Sequence, residues 1–164
     1  MKVKFFSINF VVFAQFVLFG CTTVTPHIVP GVESEIEKTI QQASHAWEDF
    51  PKTLNRASLL KHFASNYSGV DDGKRRTLKD IKKSLDDFSE QIKMGIVTGM
   101  SYQISDLNIQ PIASHLAWLI FQENTQLERA GVHFAKITTK CSALVRKEKE
   151  GWLIFHSHCS TVNA

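Results

Sequence analysis

The feature that most constrains this chain is a change of hydrophobic period near Gly95. Before it, Ile36, Ile40, Ala43, Trp47 and Phe50, and later Leu78, Ile81, Leu85, Phe88 and Ile92, recur at steps of three and four. Each set is one face of an amphipathic helix. Ser34-x-x-Glu37 has the form of a capping box, Pro51 ends the first helix, Thr77-x-x-Asp80 opens the last and Gly95 stops it. A shorter helix over 55–64 presents Leu59, Leu60 and Phe63, after which Asn66-Tyr67-Ser68-Gly69 and Asp71-Asp72-Gly73 read as turns. Beyond Gly95 the pattern switches to four stretches rich in β-branched and aromatic residues: Met100 to Gln110, His115 to Leu127, Val132 to Lys147 and Trp152 to Val162. Those are strands. Helices followed by strands, rather than alternating with them, predict an α+β domain in which a cone-like curved antiparallel sheet is covered by three N-terminal helices.

The first twenty residues stand apart. They hold six of the twelve Phe, two Lys and no acidic residue, and Phe5 to Phe19 is interrupted only by Ser7, Asn9 and Gln15. A basic leader followed by such a run has the shape of a signal peptide. It ends in Leu18-Phe19-Gly20-Cys21, which resembles the lipobox of bacterial lipoproteins, with Cys21 as the lipidated residue. The resemblance implies three segments: a lipoprotein signal peptide over 1–20, a lipidated cysteine and tether over 21–33, and a folded domain over 34–164. Several acyl chains on one cysteine suffice for stable anchoring, whereas a single chain binds a bilayer only marginally. Thr22 follows the cysteine, a context that in enteric lipoproteins goes with the outer membrane rather than the inner. The expected location is therefore the bacterial cell envelope, lipid-anchored at the outer membrane and facing the periplasm.

Without the first twenty residues and their two lysines, the formal net charge falls from +3 to +1. No nucleic-acid partner is expected from so balanced a charge. The chain also has no Gly-rich phosphate loop, serine nucleophile elbow, His-Glu-x-x-His helix or Cys-x-x-Cys pair, which disfavours those reaction classes.

The ending Gly151-Trp152-Leu153-Ile154-Phe155-His156-Ser157-His158-Cys159-Ser160 resembles the closing strand of SnoaL-like domains in the nuclear-transport-factor-2-like superfamily. Earlier residues agree in order: the Trp47 helix, Leu60 to Tyr67, Asp72-Gly73, and Ser114 to Trp118 entering a central strand. The resemblance implies a cone enclosing a pocket, and relatives range from ketosteroid isomerase and scytalone dehydratase to pocketed proteins without a known reaction. Fold alone does not decide among these. The expected wall comprises Trp47, Phe63, Tyr67, Trp118 and one face of the last strand. Strict alternation leaves two sets open, Trp152, Ile154, His156, His158 and Ser160, or Leu153, Phe155, Ser157 and Cys159. His156 and His158 are the polar candidates if the first set faces inward.

Acid–base chemistry in such a cone needs a carboxylate or histidine and a Tyr or acid, for which Tyr67, Tyr102 and the histidines are the available parts. The acidic residues fall mainly in turns and on polar helix faces, so no catalytic residue is assigned, and no metal or cofactor is expected. The expected function is to bind a small apolar ligand or a partner protein of the envelope, in a chain that dimerises with its own copy; the rivals are an isomerase- or dehydratase-type enzyme using the same pocket and a protein-assembly module. Cys141 and Cys159 remain as a pair. A three-residue loop at Lys149-Glu150-Gly151 places them directly opposite, where a disulfide can form, whereas a two-residue loop places them on opposite faces.

Overall fold

The computed structural model describes residues 30–162, so the signal peptide and Cys21 lie outside the described residues. Helix α1 (Val32–Thr53) comes first, followed by α2 (Arg56–Leu60), strand β1 (Phe63–Asp71), β2 (Lys74–Thr77), α3 (Leu78–Lys93), β3 (Gly99–Ala113), β4 (Leu116–Arg129), β5 (Val132–Glu148) and β6 (Gly151–Val162). The strands form one six-stranded sheet in the order β2-β1-β6-β5-β4-β3. Every pairing is antiparallel except β1 with β6.

Helix α1 begins earlier than its capping pattern predicts. Gly31, at φ 93°, precedes the helix with no side-chain cap, and Ser34 and Glu37 lie inside it. The reason is tertiary: Val32 and Ile36 are buried against Trp152, and Glu35 accepts hydrogen bonds from the Trp152 indole at 3.0 Å and Lys147 at 2.6 Å. Pro51 does not end the helix, which runs two residues further to Thr53 before Leu54 adopts a left-handed conformation and donates to the Phe50 carbonyl. A proline so near the terminus costs only one rung of the ladder. In α2, Asn55 caps the start by accepting from the Ser58 N–H, and Arg56 pairs with Asp86 of α3. Helix α3 has a complete reciprocal box, with Thr77 accepting from the Asp80 N–H and Asp80 accepting from the Thr77 N–H.

The segment read as a turn over Asn66 to Gly69 is strand instead. Its Ser68 and Gly69 pair with β2 on one side and β6 on the other, and that two-sided pairing overrides the turn preference of Ser and Gly, while Asn66 and Tyr67 lie in an irregular stretch between Phe63 and Ser68. Gly69 serves this strand by being small: a Cβ there would strike the Tyr67 hydroxyl and approach the Ser157 carbonyl to 3.0 Å. Only Asp72-Gly73 forms the turn, with both φ angles positive, as a tight two-residue hairpin demands. Lys74–Thr77, on the far side of that turn, form β2.

Two clusters make the core. One packs Val32, Ile36 and Ile40 of α1 onto Ala117, Leu119, Phe121, Ala143 and Val145 of the sheet. The other joins Phe50, Leu59 and Leu85 of the three helices. Between them the sheet and helices leave a space.

Candidate ligand cavity

That space is a cavity of about 500 Å³ bounded by all three helices and by all six strands. Most of its wall is apolar, including Trp47, Phe63, Phe88, Met100, Phe121 and Ile154. Trp47 stacks on Tyr102 with centroids 5.9 Å apart, and Phe63 meets Tyr67 edge-on at 5.0 Å. A groove of about 600 Å³ between α1 and the edge strand β3 is larger, but it is a polar surface cleft lined by Glu37, Glu48 and Asp106.

A minority of the lining side chains are polar, and most of these are paired. Tyr102 donates to Glu123 at 2.6 Å. The Tyr67 hydroxyl and Ser157 Oγ share a hydrogen bond of 2.8 Å. Asp71 meets Arg76 at 3.3 Å. Burial, reinforced by the negative charge of Asp71, raises the pKa of Glu123 above its ordinary value, against the opposing pull of the Tyr102 hydrogen bond. Burial together with the Glu123 charge pushes Tyr102 well above a free phenol. Tyr67 is also raised, first by burial. His62 is buried in the same wall, and desolvation aided by the Lys61 charge lowers its pKa from 6.5 to about 4. Its Nε2 has no hydrogen-bond partner. The cavity wall therefore holds a carboxyl biased toward its neutral form and hydrogen-bonded to a phenol, and it also includes a second phenol and a neutral imidazole. Such a group can donate a proton or a hydrogen bond to a polar atom brought among those apolar walls.

Of the expected wall residues, Trp47, Phe63 and Tyr67 line this cavity. Trp118, His156 and His158 do not. They lie together on the opposite face of the sheet, around a shallow dent of about 260 Å³ with Ile112 and Leu144. Trp118 has the wrong parity, since Ala117 and Leu119 on either side of it are the buried members of β4. For the histidines the cause is a bulge. Val145 pairs with Ile154 but Leu144 pairs with His156, so Phe155 is an extra residue and the alternation resets. The inward set is then Ile154, Ser157, Cys159 and Thr161, a mixture of the two alternatives that strict alternation allowed. His156 Nδ1 lies 3.2 Å from Ser68 Oγ on that outer face.

Cys141 and Cys159 are opposite one another, with Cα atoms 4.2 Å apart, and joined by a disulfide. The short Cα separation is that of a non-hydrogen-bonded antiparallel pair. The bond forms part of the cavity wall, through Cys159.

Glu123, His62, Asp71 and Arg76 were missed as cavity residues by sequence reading. For Glu123 a signal existed. Ala117, Leu119 and Phe121 alternate along β4, so Glu123 is the next residue in the inward register, an acid where the pattern calls for an apolar side chain. His62 sits at the end of a short helix, where no periodicity shows its direction.

A helical layer against a curved, mostly antiparallel sheet with a cavity between them is the architecture the closing strand implied, and the SnoaL-like domain model matches residues 40–164. The chain belongs to the SnoaL-like family. Solved structures repeat the fold at low identity. This SnoaL-like chain resembles a nuclear-transport-factor-2-like protein of unknown function from Pseudomonas aeruginosa, with a TM-score of 0.63 and 17% identity over 79% of this chain and 99% of that one. A nuclear-transport-factor-2-like protein of unknown function from Pseudomonas putida gives 0.63 at 15% identity, covering 81% and 88%. A ketosteroid isomerase-like protein from Erwinia carotovora atroseptica gives 0.57 at 12% identity, covering 80% and 96%. No curated protein matches the chain in sequence. The SnoaL-like assignment thus fixes the fold and leaves the chemistry to the cavity.

Proposed function

We propose that this SnoaL-like domain binds a small, mainly apolar molecule in its cavity and holds one polar end of it at Glu123. The reading rests on the Tyr102–Glu123 hydrogen bond, an acid–phenol pair set into a mainly apolar wall. A buried carboxyl is costly unless it is paired or neutral, and here it is both paired and biased toward neutrality. It suits a carbonyl or hydroxyl oxygen on the ligand, while apolar contacts supply most of the affinity. A lipid on Cys21 would hold the domain on the periplasmic side of the outer membrane, and the exposed apolar face around Ile112, Trp118 and Ile120 suits a second copy of the chain.

The test is native mass spectrometry of protein released gently from membranes, followed by binding assays on whatever molecule is retained. Glu123→Gln and Tyr102→Phe should each weaken binding roughly tenfold, in keeping with the loss of one buried hydrogen bond. Retention of nothing by wild type, or unchanged affinity in both variants, would remove the support for this reading.

A second reading is favoured by the burial of Glu123 against the Tyr102 hydroxyl: a carboxyl whose pKa burial raises above its ordinary value can move a proton. The resemblance to a protein described as ketosteroid isomerase-like points the same way. Conversion of the retained molecule by wild type, abolished in Glu123→Gln while binding persists, would select the enzyme.

A further inference from the structure

The tightest cluster of donor atoms in the cavity wall combines the disulfide with the buried acid. One donor atom from each of Glu123, Cys141 and Cys159 lies within 4.8 Å of the other two. All three sit on the inner face of neighbouring strands: Cys141 is paired on one side with Phe121, two residues from Glu123, and on the other with Cys159. We propose that when the disulfide is reduced, Cys141, Cys159 and Glu123 form a three-donor site for a thiophilic divalent cation such as zinc or cadmium, its fourth position open to the cavity.

The geometry requires little movement. A tetrahedral zinc with bonds of about 2.3 Å to sulfur and 2.1 Å to oxygen sets sulfur atoms about 3.8 Å apart and each sulfur about 3.6 Å from the carboxylate oxygen. Breaking the bond and turning the two side chains supplies that opening, while the backbone ladder of β5 and β6 keeps the cysteines opposed. Tyr102 already donates to one oxygen of Glu123, which leaves the other for the cation and fixes the carboxylate's orientation. Mixed sulfur and carboxylate donors favour zinc-like ions over magnesium or calcium, which take oxygen ligands.

The redox step is a thiol–disulfide exchange. A thiolate of a small dithiol enters through the cavity and attacks Cys159, the cavity-facing sulfur, forming a mixed disulfide and releasing the Cys141 thiolate. The dithiol's second thiolate then displaces Cys159. The dithiol is oxidised to its own disulfide, and the protein gains two electrons and two protons. Both protons leave when the cation binds. The site does not depend on the ligand reading above, because the cation is its own probe.

Cadmium titration of the full chain carrying Cys21→Ser, in which the two cavity cysteines are the remaining thiols, tests this directly. Before reduction no thiolate-to-cadmium absorption should appear. After a dithiol treatment and removal of the dithiol without air, one cadmium per chain should bind with absorption corresponding to two thiolates. Cys159→Ser should abolish it, and Glu123→Gln should keep the band but weaken affinity at least about tenfold. The outer histidines offer a competing site, so the double variant His156→Ala, His158→Ala should titrate like its parent. The proposal is overturned by absence of the band after reduction, by unchanged affinity in Glu123→Gln, by loss of binding with the histidines, or by loss of the sheet's circular dichroism on reduction alone.

Discussion

His62 makes the folded state sensitive to acid. Its imidazole is 5% exposed, and its pKa falls from 6.5 to about 4, chiefly because burial penalises the charged form. The unfolded chain therefore binds a proton between these values that the native chain does not. Native stability is complete above 6.5 and is lost as pH falls toward 4. With the two pKa values, the loss from this one group is about 2 kcal/mol by pH 5 and about 3 kcal/mol by pH 4. Glu123 acts in the opposite direction. Its raised pKa means that the native chain holds its proton longer than the unfolded chain, so its contribution falls as pH rises above 4.5. The wild-type curve alone therefore mixes two slopes. The cleaner measurement is urea unfolding of wild type and His62→Gln from pH 7.5 to 4, with the difference between them plotted against pH. Since Nε2 has no partner to lose, the variant need not be much weaker at neutral pH. The difference should shift in the variant's favour by about 3 kcal/mol across the range. Parallel curves would refute the assignment of a neutral, desolvated imidazole at this position.

Gly69→Ala should destabilise the domain by about 1–3 kcal/mol in chemical denaturation, because the added methyl must displace Tyr67 or the β6 backbone; a loss below about 0.5 kcal/mol would show that the close approach is easily relieved. Replacing Cys21 by serine should move the protein from the membrane to the soluble fraction and end its labelling by fatty acid, with thermal unfolding of the domain unchanged; a wild type that is already soluble and unlabelled would dispose of the anchor. Trp118→Asp together with Ile120→Asp should convert a dimer to monomer in sedimentation equilibrium without altering cavity binding, and a wild-type monomer would remove the outer face as a self-association surface.

Much of the architecture is legible in local pattern. The box at Thr77 and Asp80, the stripe from Leu78 to Ile92 and the four long strands each carry their own signal, since the residues that specify them are neighbours in sequence. What escapes is set by distant partners. Asn66 to Gly69 has turn composition and becomes strand because β6, almost ninety residues later, pairs with Ser68 and Gly69. The cysteines show the same limit. The turn between β5 and β6 pairs Glu148 with Gly151, which is the two-residue loop that would set Cys141 and Cys159 on opposite faces. The extra residue at Phe155 then shifts the register by one and brings them together. The disulfide thus arises from a short loop and a bulge instead of a longer loop, and the bulge is what lets Trp152 and Ile154 share the inner face with Cys159. The same bulge turns His156 and His158 outward.

The parallel seam between β1 and β6 also governs the order in which this chain can become a protein. Residues 151–162 fill a gap in the middle of the sheet, between β5 and a hairpin completed far upstream. Until they arrive, β1 and β2 are an isolated two-stranded ribbon, which has little stability in water. The first half of the domain consequently has to wait, unfolded or loosely helical, for the last strand described here. The element that locks the sheet is thus the last of the described ones in sequence. The cost is a slow closing step dominated by non-local pairing, during which the apolar stripes of α1 and α3 need protection from one another's copies.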